Sequence, residues 1–395
     1  MVVAHVSIPN TIGARNPYTV AELKLRKKIN WQKKSPESKM KILEKVFERP
    51  YNELFDPRTS SDLFPKTTDP RYEKINAGAG DTVSCASNPC PAIENWTAVT
   101  GGSYTPDAVA YDDLVQGCLP DCYFISALSA LAWASGTKTT FRNQLIASPY
   151  KYTFYLPQTD AAGSILLDKV PVADAAVSVN DKIPVLKPEQ RIYSRSNTAP
   201  ETWPSIIEKA YASWRYCRKY GKNPADTTIQ PEYIHICQGN PLTALMHLTG
   251  KTPTYSYTNG LTGSQIYSMI GTQTTVNPEK YVVVLQTKYP AVAWTHNPSD
   301  ATDVIPKDVL YRDDVISANH SYTVMGVYVS NGKKYIVLRN PWGQKSGDPI
   351  RSVLPDTAFA KGLWLGKKLE DPADGIFAFD ADLFQKYFAG FGWVK

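Results

Sequence analysis

The chain has 395 residues, with 43 Lys and Arg against 37 Asp and Glu, which gives a net charge of +6. An apolar fraction of 43% and a charged fraction of 20% are ordinary for a globular protein and argue against bulk disorder. The charge excess is concentrated in residues 21–50, where basic residues far outnumber acidic ones. A protein that is basic throughout, such as a histone-like or ribosomal protein, is therefore excluded.

The basic segment begins with two predicted helices. Thr19 and Glu22 form a capping-box pattern, and Ser35-Pro36 is typical of a helix start. In the second helix, apolar residues recur at helical spacing. They are Met40, Leu43, Val46 and Phe47. Because this face favours burial, we expect the arm to dock on the rest of the chain, with an anionic surface as the alternative and no nucleic-acid role.

The cysteines and the apolar segments bear on the compartment. Six cysteines are too few for a disulfide scaffold in a chain of this length, and no secretion signal marks the N-terminus. The longest apolar helical segment has about twelve residues, too few to cross a bilayer. We therefore expect an intracellular, cytoplasmic protein with reduced thiols and no transmembrane segment. Cys85 and Cys90 stay open as a pair that binds a metal or forms a disulfide.

A candidate nucleophile lies where a loop with Gly and Pro leads into an apolar segment, residues 125–133. This segment predicts a helix that is buried on nearly all sides. Asp121 is a typical N-cap residue, so Cys122 is expected in the first helical turn, where the helix dipole favours a thiolate. The side-chain amide of Gln116, on the same loop, and the backbone N–H of Cys122 are candidate donors to an oxyanion.

His320 is the candidate base for that thiol. It precedes an apolar strand pattern, and Asn331-Gly332 then predicts a tight hairpin turn into a return strand. This hairpin brings Asn340 back to the end of the sheet where His320 lies, so its side chain can hold the imidazole. Trp342 can shield that hydrogen bond from water. Cys, His and Asn in this order form a complete constellation for a cysteine nucleophile.

Ordered motifs in this chain resemble those of the calpain protease core. The nucleophile segment is similar to Gln-Gly-x-Leu-Gly-Asp-Cys-Trp-Phe/Leu, and the histidine segment to Gly-His-Ala-Tyr-Ser-Val. A helix pattern resembles Glu-Phe-Trp-x-x-Leu-x-Glu-Lys-Ala-Tyr-Ala, and a fourth segment matches Arg-Asn-Pro-Trp-Gly. The corresponding residues are 116–124, 319–324, 201–212 and 339–343, with shorter matches at 248–250 and 374–388. The resemblance therefore covers roughly residues 93–390.

The resemblance implies an α+β fold, a papain-like calpain protease core of two subdomains with the active-site cleft between them. We expect a helical subdomain over residues 76–238 that carries the cysteine. An antiparallel β subdomain over residues 239–395 carries the histidine and the asparagine. Residues 1–75 form a basic helical and loop extension. The regulatory domains that follow the core in conventional calpains are not expected.

The resemblance also assigns roles to the site residues. Cys122 is the nucleophile, His320 the general base and acid, Asn340 the residue that orients the imidazole, and Gln116 the oxyanion donor. The motifs depart from the family pattern at Pro120 for Gly, Tyr123 for Trp and Asn319 for Gly. None of these changes removes a reacting group, so they bear on rate and specificity.

Calcium is the cofactor that the resemblance implies, at one site in the first subdomain. The carboxylates of Asp113 and Glu201 and the carbonyl of Ala108 fall at the ligand positions, and oxygen ligands suit Ca²⁺. The alternative is that the two carboxylates cap a helix or form a surface ion pair. The second subdomain's site is expected to be absent, because residues 344–346 read Gln-Lys-Ser where a carboxylate is needed. No organic cofactor is expected.

The leading functional hypothesis is an intracellular cysteine endopeptidase that makes limited cuts in protein substrates through an acyl-enzyme. One alternative is a papain-like acyl or amide transferase that uses the same three residues. Another is a non-catalytic module that holds peptides in the cleft. The complete Cys-His-Asn set argues against the last alternative, because a pure binder does not need all three residues.

Overall fold

The computed structural model describes most of the chain from residue 109 onwards. The described residues are 90, 93, 95–98, 109–161, 166, 169–187, 190–197, 201–271, 274–276, 285–298, 303–306, 308–309, 311, 315–343, 354–369 and 374–395. The predictions for the extension over residues 1–75, for Ala108 and for residues 344–346 lie outside these residues.

Helices are most prominent in the first half of the described chain. In order they are α1 (Cys122–Trp133), α2 (Lys138–Ala147), α3 (Trp203–Tyr220), α4 (Pro241–Thr249), α5 (Gly263–Gly271) and α6 (Ala381–Tyr387). Single 3-10 turns lie at Tyr111–Asp113, Tyr233–Ile236 and Asp356–Ala358.

Short strands accompany the first helices and form small antiparallel pairs. They are β1 (Asn95–Ala98), β2 (Leu114–Val115), β3 (Lys151–Tyr152), β4 (Tyr155–Leu156), β5 (Val172–Ala173), β6 (Val177–Ser178), β7 (Lys182–Lys187), β8 (Gln190–Arg191) and β9 (Arg195–Ser196). The pairing is β1-β7-β8, β2 with β9, β3 with β6, and β4 with β5. One of these pairs, β2 with β9, leads directly into the loop before α1.

The second half of the chain is dominated by one antiparallel sheet. Its strands are β10 (Thr254–Tyr257), β11 (Thr274–Val276), β12 (Leu285–Thr287), β13 (Ala291–Thr295), β14 (Ser321–Ser330), β15 (Lys333–Arg339), β18 (Ile376–Asp380) and β19 (Phe388–Trp393). Their order is β10-β19-β13-β14-β12-β11, with β15 between β14 and β18. A separate hairpin pairs β16 (Leu363–Trp364) with β17 (Lys367–Lys368). The α+β class expected from the sequence is confirmed.

The predicted buried helix is α1, and every one of its residues is buried. A helix that is apolar on all sides needs partners on all sides. It contacts the helices α2 and α4 and, from the large sheet, β14. Helix α1 therefore lies between the helices and the sheet, with its N-terminal residue, Cys122, at the start of β14.

The predicted hairpin is also present. Asn331 and Gly332 have φ values of 50° and 74°, the left-handed conformation that this turn requires. Strands β14 and β15 pair with Ser330 opposite Lys333 and Thr323 opposite Arg339, with a register shift between Val324 and Gly326. The end of β15 therefore returns to the start of β14, as the sequence predicts.

Local signals fix the ends of α3 and α4. Each helix has a proline in its first turn and ends at a glycine with positive φ, Gly221 at 61° and Gly250 at 67°. Asn240 caps α4, since its side chain accepts a hydrogen bond from the Leu242 N–H at 2.8 Å. These ends place Glu201 just before α3 and the residues around Gln238 just before α4.

Two apolar clusters form the core. One combines α1, α2, α3 and α4 with residues of the large sheet, such as Val292 and Val337. The buried members of the other lie within residues 266–393, on α5, α6 and the opposite face of the sheet. The predicted boundaries of the two subdomains stay a prediction. None of the helices in the described residues is both long and apolar enough to span a membrane.

The expectation of reduced thiols is wrong for part of the chain. Cys90 and Cys118 form a disulfide, with their Cα atoms 5.5 Å apart, and Cys237 is disulfide-bonded as well. Cys90 therefore pairs with Cys118, which excludes the metal or disulfide pair with Cys85 considered above. Sequence spacing does not reveal connectivity, because folding brings together cysteines that lie 28 residues apart. Cys122 and Cys217 carry thiols.

Candidate active site

Cys122 begins α1 and lies against the start of β14. The backbone N–H of Ser321 donates to its sulfur at 3.3 Å, which places Cys122 next to His320. Side-chain contacts fix the two elements at this point. The hydroxyls of Ser126 and Ser321 are 2.6 Å apart, and the Thr323 hydroxyl donates to the Ser126 carbonyl at 2.8 Å. The nucleophile predicted from the sequence and its predicted base are therefore adjacent.

The imidazole of His320 is held by Asn340. Its Nε2 lies 3.0 Å from Oδ1 of Asn340, and both residues are buried. The same Oδ1 accepts the backbone N–H of Trp342 at 3.1 Å, which identifies it as the acceptor oxygen. Nε2 therefore carries the hydrogen in the neutral ring. Nδ1 is then the nitrogen that can accept a thiol proton.

Aromatic rings enclose the imidazole. The ring of Trp342 lies 4.6 Å from it between centroids, and the ring of Tyr322 meets it edge-on at 4.9 Å. An apolar enclosure excludes water, which strengthens the hydrogen bond between His320 and Asn340. The position of Trp342 is the one that the sequence predicts for a shielding residue.

Asn319 stands where the family motif has glycine, and its backbone explains the substitution. Its φ is 48°, a left-handed conformation that Asn tolerates better than most residues with a side chain. The residue is buried, and its N–H donates to the carbonyl of His296 at 2.8 Å. The neighbouring N–H of His320 donates to the Thr295 hydroxyl at 2.9 Å. The departure therefore keeps the backbone that presents His320.

Residues 116–121 form the nucleophile loop, which leads into α1. Gln116 is buried, and its backbone N–H donates to the carbonyl of Pro341 at 2.9 Å. This bond ties the loop to the residue directly after Asn340. The side-chain Nε2 of Gln116 donates to the Leu119 carbonyl at 2.7 Å, so the amide is fixed within the loop. One N–H of that amide remains for another acceptor.

The outer side of the nucleophile loop is held by three further contacts. The N–H of Cys118 donates to the carbonyl of Ile192 at 3.1 Å, and Cys118 is the loop's disulfide residue. The carbonyl of Pro120 accepts the N–H of Gln238 at 2.7 Å. Gly117 packs directly on the backbone of Tyr193, where an added Cβ would lie 2.4 Å from the carbonyl carbon. The loop is therefore held on several sides.

Tyr123 replaces the tryptophan of the family motif, and both its ring and its hydroxyl make contacts. Its ring lies on Gly239, where an added Cβ would come within 2.5 Å of the ring. Its hydroxyl donates to the carbonyl of Ile236 at 3.1 Å. The substitution therefore preserves a buried aromatic ring behind the nucleophile and gains a hydrogen bond.

Asp121 has the predicted N-cap position but not the predicted cap contact. Its backbone carbonyl accepts the N–H of Phe124 at 2.8 Å, which starts α1, yet its side chain makes no capping hydrogen bond. The carboxyl group instead hydrogen-bonds to the carboxyl of Glu208 on α3. The sequence places Glu208 in the helix motif of residues 201–212 but indicates no role for it, because its partner lies far away along the chain.

Arg339, in the matched Arg-Asn-Pro-Trp-Gly segment, is another residue whose position the sequence does not explain. The guanidinium is fully buried and donates to the carbonyl of Leu114 at 2.7 Å and to that of Asp374 at 3.0 Å. It also reaches the Ser129 hydroxyl on α1 at 3.4 Å. Arg339 therefore connects the strand that carries Asn340 to the chain just before the nucleophile loop.

The predicted calcium ligands Asp113 and Glu201 lie together. Their carboxyl groups are hydrogen-bonded to each other, and both residues are buried. Oδ2 of Asp113 accepts from the Ala110 N–H at 2.8 Å and from the Trp203 indole at 3.2 Å. Burial, with the neighbouring Asp113 charge, raises the pKa of Glu201 to about 8. Two carboxyl groups this close hold a proton or a cation between them, so the surface ion pair considered above is excluded.

The pair alone does not make a complete cation site. No group of three or more His, Cys, Asp and Glu side chains gathers as metal ligands in the described part of the chain. Ca²⁺ takes six to eight oxygen ligands and accepts backbone carbonyls among them. The donor set therefore fits calcium if carbonyl or water oxygens complete it.

A comparison with protein families gives a match over residues 96–349 to the model described as calpain family cysteine protease. The chain belongs to the calpain family of cysteine proteases. The match spans α1, β14 and β15, the elements that bring Cys122, His320 and Asn340 together. The papain-like calpain core expected from the motifs is thereby confirmed.

A curated relative supports the same family. A protein named thiol protease from Porphyromonas gingivalis (strain ATCC BAA-308 / W83) is 27% identical over 297 residues. The aligned part covers 70% of this calpain-family chain and 53% of the relative. The chain therefore spans about half the length of that protein.

Solved structures of two peptidases were also matched. The digestive procathepsin L2 proteinase from Tenebrio molitor larval midgut is 12% identical, with 93% of each chain covered and a TM-score of 0.28. A NlpC/P60 endopeptidase from Photobacterium damselae subsp. piscicida is 13% identical, with 66% of this chain and 57% of that chain covered and a TM-score of 0.18. Scores this low add nothing to the family assignment.

Proposed function

We propose that this calpain-family chain is a cysteine endopeptidase that makes limited cuts in protein substrates. The observation that carries the proposal is the arrangement around His320. Its Nε2 is bound to Asn340 at 3.0 Å, and the N–H of the next residue donates to the sulfur of Cys122. The family match supports the same chemistry.

The proposed reaction starts with proton transfer from the Cys122 thiol to Nδ1 of His320. The thiolate then attacks the carbonyl carbon of the scissile peptide and forms a carbon–sulfur bond. The imidazolium gives its proton to the leaving amine as the carbon–nitrogen bond breaks. In the second half, the imidazole takes a proton from water, and the resulting hydroxide hydrolyses the thioester and restores the thiol. Asn340 keeps the ring in one tautomer throughout.

The oxyanion formed on the substrate needs donors on the side of the nucleophile loop. The N–H groups in the first turn of a helix have no partners within that helix, which suits the backbone of Cys122 to this task. The Gln116 amide lies on the same loop, and its Nε2 has a second hydrogen besides the one given to Leu119. We propose that these two groups stabilise the oxyanion.

Replacement of the nucleophile tests the proposal. We expect Cys122→Ala to abolish cleavage of denatured casein, with a loss on the order of 10⁵-fold or more. Cys217→Ala is the matched control, because Cys217 is the other buried thiol among the described residues and lies on α3. Burial raises its pKa and keeps it unreactive. Undiminished cleavage by Cys122→Ala would refute the proposal, and transfer to an added amine faster than hydrolysis would favour a transferase.

We propose further that calcium binds between Asp113 and Glu201. A divalent cation would neutralise two buried carboxylates that otherwise share a proton. Asp113 precedes β2, which leads into the nucleophile loop, and its partner Glu201 precedes α3. Bound calcium would thus stabilise the entrance to α1, without taking part in bond breaking.

The cytoplasmic location predicted from the sequence stays a prediction. The disulfide between Cys90 and Cys118 counts against it, because such bonds persist mainly in oxidising compartments. Cell fractionation under conditions that block thiol exchange distinguishes the cytoplasm from an oxidising compartment.

A further inference from the structure

Glu208 lies on α3 and is completely buried. Its Oε2 accepts the backbone N–H of Ser194 at 2.9 Å and the hydroxyl of the same residue at 2.7 Å. Its carboxyl group is also hydrogen-bonded to the carboxyl of Asp121. Glu208 therefore joins the segment that borders the nucleophile loop to the residue directly before Cys122.

A hydrogen bond between two carboxyl groups requires a proton. Asp121 is as completely buried as Glu208, so neither charge is screened by water. Burial raises the pKa of Glu208 from the ordinary 4.5 to about 7. Since Oε2 accepts two hydrogen bonds from Ser194, the other oxygen of Glu208 is the one that faces the shared proton. Near neutral pH, the pair therefore carries one negative charge and not two.

Two tyrosines, Tyr193 and Tyr233, lie near the carboxyl pair. The ring of Tyr193, next to Ser194, stacks on the ring of Tyr233 with centroids 3.8 Å apart. Burial, together with the charges of Glu208, Tyr193 and Asp121, raises the pKa of Tyr233 well above its ordinary value. The Tyr233 hydroxyl therefore stays neutral over the range in which the carboxyl pair titrates.

We propose that Glu208 is a positioning residue for Cys122, and that the proton it shares with Asp121 keeps the first turn of α1 in its reactive geometry. Loss of that proton places two negative charges together in a buried site, so the carboxylates repel each other. It also adds negative charge at the N-terminus of α1, where it disfavours the thiolate. Activity falls on the alkaline side as a result. This inference rests on the proposed peptidase function.

Amide variants mimic the protonated pair at every pH. In Glu208→Gln, the carbonyl accepts from Ser194 and the amide N–H donates to the Asp121 carboxylate; Asp121→Asn reverses the roles. Glu208 ionises near pH 7 and Asp121 then holds the one shared proton, so wild-type kcat is expected to decline as pH rises above about 7 and that proton is lost. In both variants this decline should move up by about one pH unit or more, measured relative to each variant's own kcat at low pH. Asp174→Asn is the control, since hydrogen bonds to Trp214 and Arg218 already lower the pKa of Asp174.

The rate of Cys122 alkylation by iodoacetamide gives a readout that does not depend on proteolysis. An alkaline decline of this rate in wild type that shifts in both variants supports the role of the pair. The same decline in Glu208→Gln as in wild type, or no alkaline decline in wild type, overturns it. If alkylation shifts while wild type fails to cut casein, the positioning role stands and the proposed peptidase function fails. Asp121→Asn keeps the test decisive if Glu208→Gln does not fold.

The pH dependence of thermal stability gives a second test of the shared proton. Because the folded state holds a proton that the unfolded state releases, the pair stabilises the fold at low pH, and this contribution is lost as pH rises through about 7. The melting temperature of wild type should therefore fall over that range more than the melting temperature of Glu208→Gln. Parallel curves for the two proteins would contradict a shared proton.

Discussion

At the scale of single residues, one amide oxygen sets the tautomer of the His320 imidazole. Oδ1 of Asn340 accepts from Nε2 of His320 and from the backbone N–H of Trp342. An oxygen held by two donors cannot exchange places with the amide nitrogen without losing both bonds. The tautomer of His320 is therefore fixed by the backbone that follows β15.

Removal of that oxygen should reduce turnover more than binding. We expect Asn340→Ala to lower kcat on the order of 10²-fold with little change in KM, because the imidazole loses its orientation. Asn223→Ala is the control, since Asn223 is exposed and caps a turn through the Ala225 N–H at 3.0 Å. Steady-state kinetics on a peptide substrate measures both. A kcat of Asn340→Ala within about twofold of wild type would contradict the assigned role.

Some contacts between single residues can be predicted from the local sequence, and others cannot. His320 and Asn340 are separated by one hairpin, and Asn-Gly at its turn predicts their approach from local chemistry alone. The contact between Glu208 and Asp121 and the disulfide between Cys90 and Cys118 depend on how distant segments pack. No local pattern encodes those partners, and for the disulfide the prediction was wrong.

At the scale of elements, the nucleophile loop depends on close backbone approach. Gly117 touches the backbone around Tyr193, the segment whose next residue binds Glu208. The loop's other supports, the bonds from Gln116 to Pro341 and from Gln238 to Pro120, reach it from different parts of the chain. A displacement of the loop therefore disturbs the Gln116 amide and the start of α1 together.

A methyl group at Gly117 tests this dependence. The added Cβ would lie 2.4 Å from the carbonyl carbon of Tyr193, and rigid backbone cannot give way as a side chain can. We expect Gly117→Ala to destabilise the fold by about 1–3 kcal/mol and to abolish most activity. In Gly271→Ala, at the end of α5, the Cβ meets only Val327 at 4.0 Å. That control should be neutral or slightly stabilising, and equal melting temperatures for both variants would contradict the prediction.

Elements differ in how far the sequence predicts them. Helix α1 and the β14–β15 hairpin follow from apolar pattern, a cap-type residue and turn chemistry, all of which act over short distances. The order of the large sheet does not, because β13 pairs with β19 almost a hundred positions later. Such pairing is selected by the packing of both faces of the sheet, which the pattern of one strand cannot specify.

At the scale of the whole molecule, the positive net charge hides two local concentrations of acidic groups. The net charge is +6, yet acidic pairs are buried at Asp113 with Glu201 and at Asp121 with Glu208. Each pair flanks the chain that leads to Cys122. Neutralisation of one pair by a proton and of the other by a cation would leave the nucleophile in a less negative environment.

Calcium should therefore stabilise the protein through one of these pairs. We expect a higher melting temperature with calcium than with chelator, corresponding to about 2.7 kcal/mol at 100 times the dissociation constant. Asp113→Asn and Glu201→Gln should remove the difference. Asp308→Asn should keep it, because Asp308 is paired with Lys386 at an exposed site. An unchanged calcium effect in the first two variants would place the cation elsewhere.

Cys118 and Cys122 lie four positions apart but require opposite oxidation states. Cys118 is bonded to Cys90, whereas Cys122, four positions later, must remain a thiol to react. A strong reductant opens the bridge that holds the nucleophile loop, and a strong oxidant consumes the nucleophile. The proposed peptidase would therefore be active only in an intermediate redox window, and an assay run in excess reductant would underestimate its activity.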